Sequence, residues 1–358
     1  MQQEAFCLLL AFINDMIRLG IICPSEIAYR RFSPALKANS DFQFAGISIA
    51  SAEEWYGSNK VVDEQLNQER VNREKTKAKT FIDFFERGKI FESYESLIVS
   101  DEIDAVYLPL PPALHFKWAE LALKHGKHVF VEKPSTTESS DTAKLISIAR
   151  SKSLALHENY MFIYHAQLAA VQNIVESGEL GDVRLYRITF GFPLRSQNDF
   201  RYNKSLGGGA LIDAGGYTLK YASYLLGESA KITDAHLNYL PNYEVDMYGT
   251  ATMVNDNGVT AQLAFGMDND YKCEIEIWGS KGTLTSNRIL TAPVGFIPEC
   301  IIKKNQDIEK RQLPSDDAFA KSIALFYNCI VDSNIRENEY SLVQREADYM
   351  SQFKKIAK

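Results

Sequence analysis

Residues 18–28 read RLGIICPSEIA, and the reading of this stretch decides the fold. An apolar strand runs to Ile22 and meets a tight turn, after which Ser25, Glu26, Ile27 and Ala28 form the first turn of a helix. A strand, turn and helix of this kind opens a nucleotide-binding domain, because a helix N-terminus attracts phosphate. The glycines of a G-x-G-x-x-G/A fingerprint are replaced, however. Cys23 and Ser25 stand at the first two positions with Pro24 between them, and Ala28 stands at the third. Serine is small enough to leave room for a pyrophosphate and its hydroxyl can bind one. Cys23, Pro24, Ser25, Glu26 and Ile27 are therefore candidate cofactor-binding residues.

Working outward, apolar runs over 16–22, 42–50, 105–108, 129–131 and 155–157 alternate with helical patterns. Such alternation predicts an α/β domain with a doubly wound parallel sheet of the Rossmann type, spanning residues 1–160. The charge-rich segment 58–79 reads as a solvated helix inserted after the second strand. The apolar run 6–13 is too short for a membrane span and lacks the flanks of a signal peptide. It reads as a short helix or strand beside the first domain. From about residue 182 the pattern becomes alternating, as in VRLYRITF (183–190) and CEIEIWG (273–279), with turn signals between the strands. Residues 161–358 are thus expected to form an α+β domain with a large, mostly antiparallel open sheet, closed by helices near 319–331 and 341–356. Helices covering one face of that sheet would leave an apolar face, which predicts a homodimer or homotetramer.

Composition narrows the class. The 358 residues are 46% apolar and 24% charged with a net charge of −7, which suits a soluble globular chain and argues against a nucleic-acid surface. Cys7, Cys23, Cys273, Cys300 and Cys329 show no C-x-x-C spacing, so neither a zinc site nor a disulfide framework is expected. A reducing, cytoplasmic location fits, and no membrane partner is indicated.

Three constellations carry chemistry. HVFVEKPSTT (128–137) puts Glu132 and Lys133 at the end of a buried strand, where charges must be paired or touch a ligand. A strand-end salt bridge is the plain alternative. In SLGGGALIDAGGYTLKYASYLLGE (205–228), Asp213, Tyr217 and Lys220 share one face of a regular helix. The glycine pair 215–216 inside that helix implies that something approaches its surface closely. A phenol beside a lysine and a carboxylate can donate a proton, although the same spacing also describes an ordinary surface cluster. In VYLPLPPALHFKWAELALKHGKH (106–128), Leu110 and Pro111 follow a strand in a rigid loop expected to wall a cofactor cleft, and His115 opens the next helix; all three are candidate cofactor contacts.

Taken together and in order, these motifs resemble the glucose-fructose oxidoreductase / inositol dehydrogenase (Gfo/Idh/MocA) family of NAD(P)-dependent sugar oxidoreductases. The IAYRRFSPAL helix (27–36) and a tyrosine at 217 are most similar to its nucleotide-sugar 3-ketoreductase branch. The resemblance implies that Lys133 contacts nicotinamide and substrate, that Glu132 lines the cofactor pocket, and that Tyr217 gives a proton to the forming alkoxide. It further implies that Asp213 bonds the sugar and that Arg201, in DFRYN (199–203), contacts the cofactor. The expected substrate is a sugar or nucleotide-linked keto-hexose, and no metal is needed. Cofactor choice turns on ISIASAEEW (47–55). The uncharged Ser51 at the end of the second strand leans to NADP, while Glu53 and Glu54 favour NAD. A second reading comes from another class: a cofactor-binding regulator that has lost catalysis. The missing glycines favour it, whereas retention of Lys133, Asp213 and Tyr217 favours the enzyme.

Overall fold

The computed structural model describes residues 16–57 and 62–358. The apolar run at 6–13 and the start of the expected inserted helix, at 58–61, lie outside the described residues. The first strand β1 (Ile17–Ile22) leads into α1 over residues 26–37, whose Ala28–Phe32 portion is π-helical and whose Ser33–Lys37 portion is α-helical. There follow β2 (Phe42–Ser48), α2 (Ala52–Tyr56), α3 (Glu64–Phe85), β3 (Lys89–Phe91), α4 (Tyr94–Ile98) and β4 (Ala105–Leu108). The half is completed by α5 (Pro112–Lys124), β5 (His128–Glu132), α6 (Ser139–Ser151) and β6 (Leu156–Asn159).

These six strands form one parallel sheet in the order β3-β2-β1-β4-β5-β6. The order reverses between β1 and β4, and the cleft at their carboxyl ends is where ligands of such sheets bind. Every residue of β4 is fully buried, as a strand covered on both faces must be. Sequence reading missed the three-residue β3. It also ended β6 at 157, two residues early, because Glu158 and Asn159 look like loop residues although both are buried.

After a 3₁₀ turn (Met161–Tyr164) and α7 (Ala166–Glu176), the second half begins with β7 (Val183–Gly191). The helix α8 then runs over residues 211–226, opening with a π turn at Leu211–Gly215 and continuing as α-helix over Gly216–Leu226. β8 (Lys231–Tyr239), β9 (Asp246–Val254), β10 (Thr260–Gly266), β11 (Lys272–Gly279), β12 (Thr283–Asn287), β13 (Glu299–Lys304) and β14 (Asp307–Gln312) complete an eight-stranded sheet. Its order is β14-β13-β12-β11-β7-β10-β9-β8, antiparallel except at the parallel pair of β10 with β7.

One expectation is corrected. The outer face of the large sheet is not apolar at its centre. It presents Arg187, Thr189, Thr250, Thr252 and Gln262, and Arg187 Nε donates to Gln262 Oε1 at 3.0 Å, so cross-strand polar pairs cover the pleat. The C-terminal end of 161–358 also packs outside its own sheet. The last helices, α9 (Ala318–Val331) and α10 (Ser333–Ile356), return to the first half. Phe319, Ile323, Phe326 and Cys329 enter the core cluster of β1, β2 and α1, and Tyr340 and Val343 enter the cluster under α5 and α6.

Candidate functional site

At the cleft, Cys23 adopts φ +83°, in the left-handed region that a fingerprint glycine would take without strain. Its side chain turns inward against the cluster containing Tyr94 and Leu97 and hydrogen-bonds Tyr94. Burial pushes the thiol up to about 12, so it stays protonated. Because the thiol points into the core, the outer side of the turn is left open. Ser25 N–H donates to Cys23 O at 2.9 Å, and Ser25 Oγ accepts from Ala28 N at 3.3 Å. The first N–H groups of α1, at Glu26 and Ile27, have no partner inside the helix. Ile27 is 38% exposed at the mouth of this turn. Uncommitted donors at the positive end of a twelve-residue helix fit a pyrophosphate.

At the end of β2, Ser51 caps α2 in a reciprocal box: its Oγ accepts from Glu54 N at 3.2 Å, and its N–H donates to Glu54 Oε2 at 2.7 Å. Glu54 also accepts from Tyr94 N and Glu95 N, each at 3.0 Å, so this carboxylate joins two helix starts and does not wait for a ribose. Sequence reading missed Arg70 of α3. Its Nη1 donates to Ala50 O at 2.9 Å, and its guanidinium lies 5.2 Å from the Trp55 ring centre and 5.9 Å from that of Tyr56. It brings a positive charge behind Ser51.

His115, expected to touch the cofactor, is fully buried. Its Nδ1 lies 2.8 Å from Pro134 O and its Nε2 lies 2.8 Å from Leu110 O. Two carbonyl partners favour a protonated ring, but burial outweighs them and its pKa falls to about 4, so the neutral ring donates to one carbonyl at a time. The residue ties the loop of Leu110 and Pro111 to the Pro134 carbonyl, one residue past the cis Lys133–Pro134 bond, and offers no atom to a ligand.

The catalytic candidates converge where α8 meets the end of β5. Lys133 Nζ donates to Asp213 Oδ1 at 2.7 Å and to Asp213 O at 2.8 Å, and sits 5.0 Å from the ring centre of Tyr217. Arg201 Nε donates to Asp213 Oδ2 at 2.6 Å, and its Nη1 reaches Asp199 Oδ1 at 3.1 Å. Burial alone would raise the Asp213 pKa, but Lys133 and Arg201 outweigh it and hold the carboxyl well below the usual carboxylate range. Burial likewise works against the charge on Arg201, yet Asp213 and Asp199 keep it firmly protonated. Tyr217 packs among Tyr160, Phe162 and Phe190, with ring centres 5.2–5.3 Å away. Burial, and then the charges of Glu132 and Asp213, push its phenol well above the ordinary value. Glu132 Oε1 accepts from Tyr107 Oη at 2.7 Å and from Asn159 Nδ2 at 2.8 Å.

The regular-helix expectation for α8 fails in one respect. Asp213 and Tyr217 reach the site, but Lys220 points away, with its Nζ 3.6 Å from Glu158 Oε2. The π turn at Leu211–Gly215 holds more residues per turn, so the side chains beyond it change phase. The close approach predicted at the glycine pair is made by Tyr160. A Cβ on Gly216 would lie 2.0 Å from Tyr160 Oη.

Comparison with known proteins agrees with this geometry. A family described as "Oxidoreductase family, NAD-binding Rossmann fold" matches residues 24–160, and the "GFO/IDH/MocA C-terminal domain" matches 168–285. This chain belongs to the Gfo/Idh/MocA oxidoreductase family. Within it, the chain is 36% identical to the dTDP-3,4-didehydro-2,6-dideoxy-alpha-D-glucose 3-reductase of Actinomadura kijaniata, over 88% of each chain. The enzyme of the same name from Streptomyces violaceoruber is also 36% identical, over 88% of this chain and 85% of that one. KijD10, a 3-ketoreductase from Actinomadura kijaniata solved with NADP and TDP-benzene, superposes with a TM-score of 0.86 at 33% identity, covering 96% of this chain and 98% of that one. As a Gfo/Idh/MocA member the protein is an oxidoreductase using a nicotinamide dinucleotide, and the altered fingerprint has not removed it from that family.

Proposed function

We propose that the protein reduces a keto group on a dTDP-linked deoxyhexose, with NADPH as its reductant. The observation that carries this is the meeting of Lys133, Asp213 and Tyr217 at the carboxyl end of the Rossmann sheet. The bound dinucleotide supplies the hydride. Lys133, held by Asp213, donates a hydrogen bond to the substrate carbonyl and polarises it. Tyr217 keeps its proton at neutral pH because burial and Glu132 oppose ionisation, and it releases that proton only as the substrate oxygen becomes basic. Proton and hydride together convert C=O to CH–OH, and solvent reprotonates the phenolate. Both oxygens of Asp213 are engaged, so its main task is to orient Lys133 and Arg201, with a remaining lone pair for a sugar hydroxyl.

NADP over NAD is supported by the relatives' crystal complexes, by the uncharged Ser51, by Arg70 behind it, and by the engagement of Glu54 with backbone donors. The non-catalytic regulator is not favoured, since the proton donor and its lysine stand together. Among the described residues no helix is long and apolar enough to cross a membrane. We place the protein in the reducing cytoplasm, where Cys23, Cys273, Cys300 and Cys329 stay free. A homodimer or homotetramer through the large sheet is the assembly we propose, now resting on the exposed Tyr248, Trp278, Ile301 and Ile308 on its outer face. A monomeric mass by light scattering at micromolar concentration would contradict it.

The test is direct. NADPH should bind with micromolar affinity or better by fluorescence, and more tightly than NADH. Tyr217→Phe should keep that binding while turnover of a dTDP-keto-sugar falls about 10²- to 10⁴-fold, the contribution of a positioned general acid. Near-native turnover by this variant would remove Tyr217 as the donor, and failure to bind either dinucleotide would remove the enzyme reading altogether.

A further inference from the structure

Strand β6 ends in three consecutive polar residues, His157, Glu158 and Asn159, each at most 2% exposed. Buried polar groups are costly unless they are bonded, so their partners are informative. Asn159 Nδ2 donates to Glu132 Oε1 at 2.8 Å, which turns Asn159 Oδ1 toward Ser322, whose Oγ donates to it at 2.9 Å. His157 Nε2 lies 2.8 Å from Ser322 Oγ. Because the hydroxyl hydrogen is committed to Asn159, the ring nitrogen must be the donor in that contact. His157 Nδ1 then faces Glu339 Oε1 at 2.8 Å, an ion pair when the ring carries its second proton. Every hydrogen bond of this chain points the same way, from His157 through Ser322 and Asn159 to Glu132. Tyr107 Oη reaches the same Glu132 oxygen from the other side, at 2.7 Å.

We propose that Asn159, Ser322 and His157 are positioning residues that hold Glu132 beside Lys133 and Tyr217, and so set the field in which Tyr217 releases its proton. The inference rests on the reading of Tyr217 as the donor. It gives the C-terminal helices α9 and α10, which carry Ser322 and Glu339, a part in the site although they reach no reacting atom. The charged or titratable groups that act on Glu132 are Tyr107, Lys133 and Tyr217, and Asn159 is its remaining polar partner. Burial raises the Glu132 carboxyl, and the hydrogen bonds from Asn159 and Tyr107 oppose that rise. Removing one of them therefore has a definite sign.

The experiment follows the Glu132 carboxyl by ¹³C NMR titration of the cofactor-free protein, alongside the pH profile of kcat. Asn159→Leu, of similar volume, should move the Glu132 titration up by about one pH unit, the shift that loss of one hydrogen bond to a charged group produces. Ser322→Ala should move it less in the same direction, and Ser322→Thr, which keeps the hydroxyl, should restore it. The kcat profile should shift with the titration while KM for the keto-sugar holds. Folded Asn159→Leu and Ser322→Ala variants in which Glu132 titrates as in the wild type would overturn the proposal. A moved Glu132 with an unmoved kcat profile would overturn its catalytic part. Wild-type turnover by Tyr217→Phe would instead overturn the donor reading on which it rests.

Discussion

At the scale of single residues, Cys23 shows how a fingerprint can lose its glycines and keep its turn. The backbone there still takes the glycine conformation, φ +83°, and the thiol is accommodated by turning into the core. A left-handed non-glycine residue costs about 1–2 kcal/mol, while glycine would regain that but loses about 0.5–1 kcal/mol through its freer unfolded chain. Cys23→Gly should therefore be near neutral, within about 1 kcal/mol by urea denaturation. Cys23→Val should cost more than about 2 kcal/mol, since a β-branched side chain tolerates positive φ worst. A stable Cys23→Val protein would mean that the turn can relax, and that the glycine positions are not what shapes it. Lys133 makes the complementary case. Its side chain is the shared partner of Asp213 and the Tyr217 ring, so Lys133→Met should cut turnover and also weaken substrate or NADPH binding. Loss of turnover with both affinities intact would restrict Lys133 to the chemical step.

At the scale of elements, α10 packs against α8 and β6 through a buried charged cluster. Glu158, Lys220 and Glu346 meet there beside Tyr160. Both carboxylate oxygens of Glu346 lack hydrogen-bond partners, and burial pushes its pKa up to about 8, with Lys220 opposing and Glu158 adding to the rise. The folded state thus keeps a proton that the unfolded chain releases near its ordinary value of 4.5. Its contribution to stability is then lost progressively as pH rises from about 4.5 to 8, by roughly 3 kcal/mol at pH 7 and at most about 5 kcal/mol beyond. Glu346→Gln should remove this slope, so the variant should gain on the wild type as pH rises in denaturation at pH 5, 7 and 8.5. Parallel pH profiles for the two would show that Glu346 is solvated. None of this cluster was legible in the sequence, where Glu346 lies in a charge-rich amphipathic stretch like any solvated residue. The strands of the parallel sheet were legible because buried strands read as apolar runs. The π turn at Leu211–Gly215 was not, since no residue pattern marks where a helix takes its extra residue. That is why Asp213 and Tyr217 could be placed at the site while Lys220 was put on the wrong face.

At the scale of the whole molecule, the chain order conceals how the parts are shared. The main motifs of the candidate site were readable because Lys133 sits at the end of a strand and Asp213 and Tyr217 on one helix. Asn159, Ser322 and Glu339, by contrast, come together only when a chain end some 160 residues away folds back. The same return supplies core. Phe326 is fully buried, stacked on Phe42 with ring centres 5.6 Å apart and edge-on to Phe130 at 5.3 Å, between strands β2 and β5 of the first sheet. Cutting the chain at residue 160, where the strand pattern changes, would strip this helix from the sheet and expose the apolar surfaces of β1, β2 and α1. Residues 16–160 expressed alone should therefore show no cooperative unfolding transition and no NADPH binding. In the full chain, Phe326→Ala should cost about 3–5 kcal/mol, the range for truncating a buried aromatic side chain. Both are read from urea denaturation followed by circular dichroism, with NADPH fluorescence on the fragment. A fragment that unfolds cooperatively and binds NADPH would show that the first sheet is complete without α9, and that the C-terminal helices only cover it.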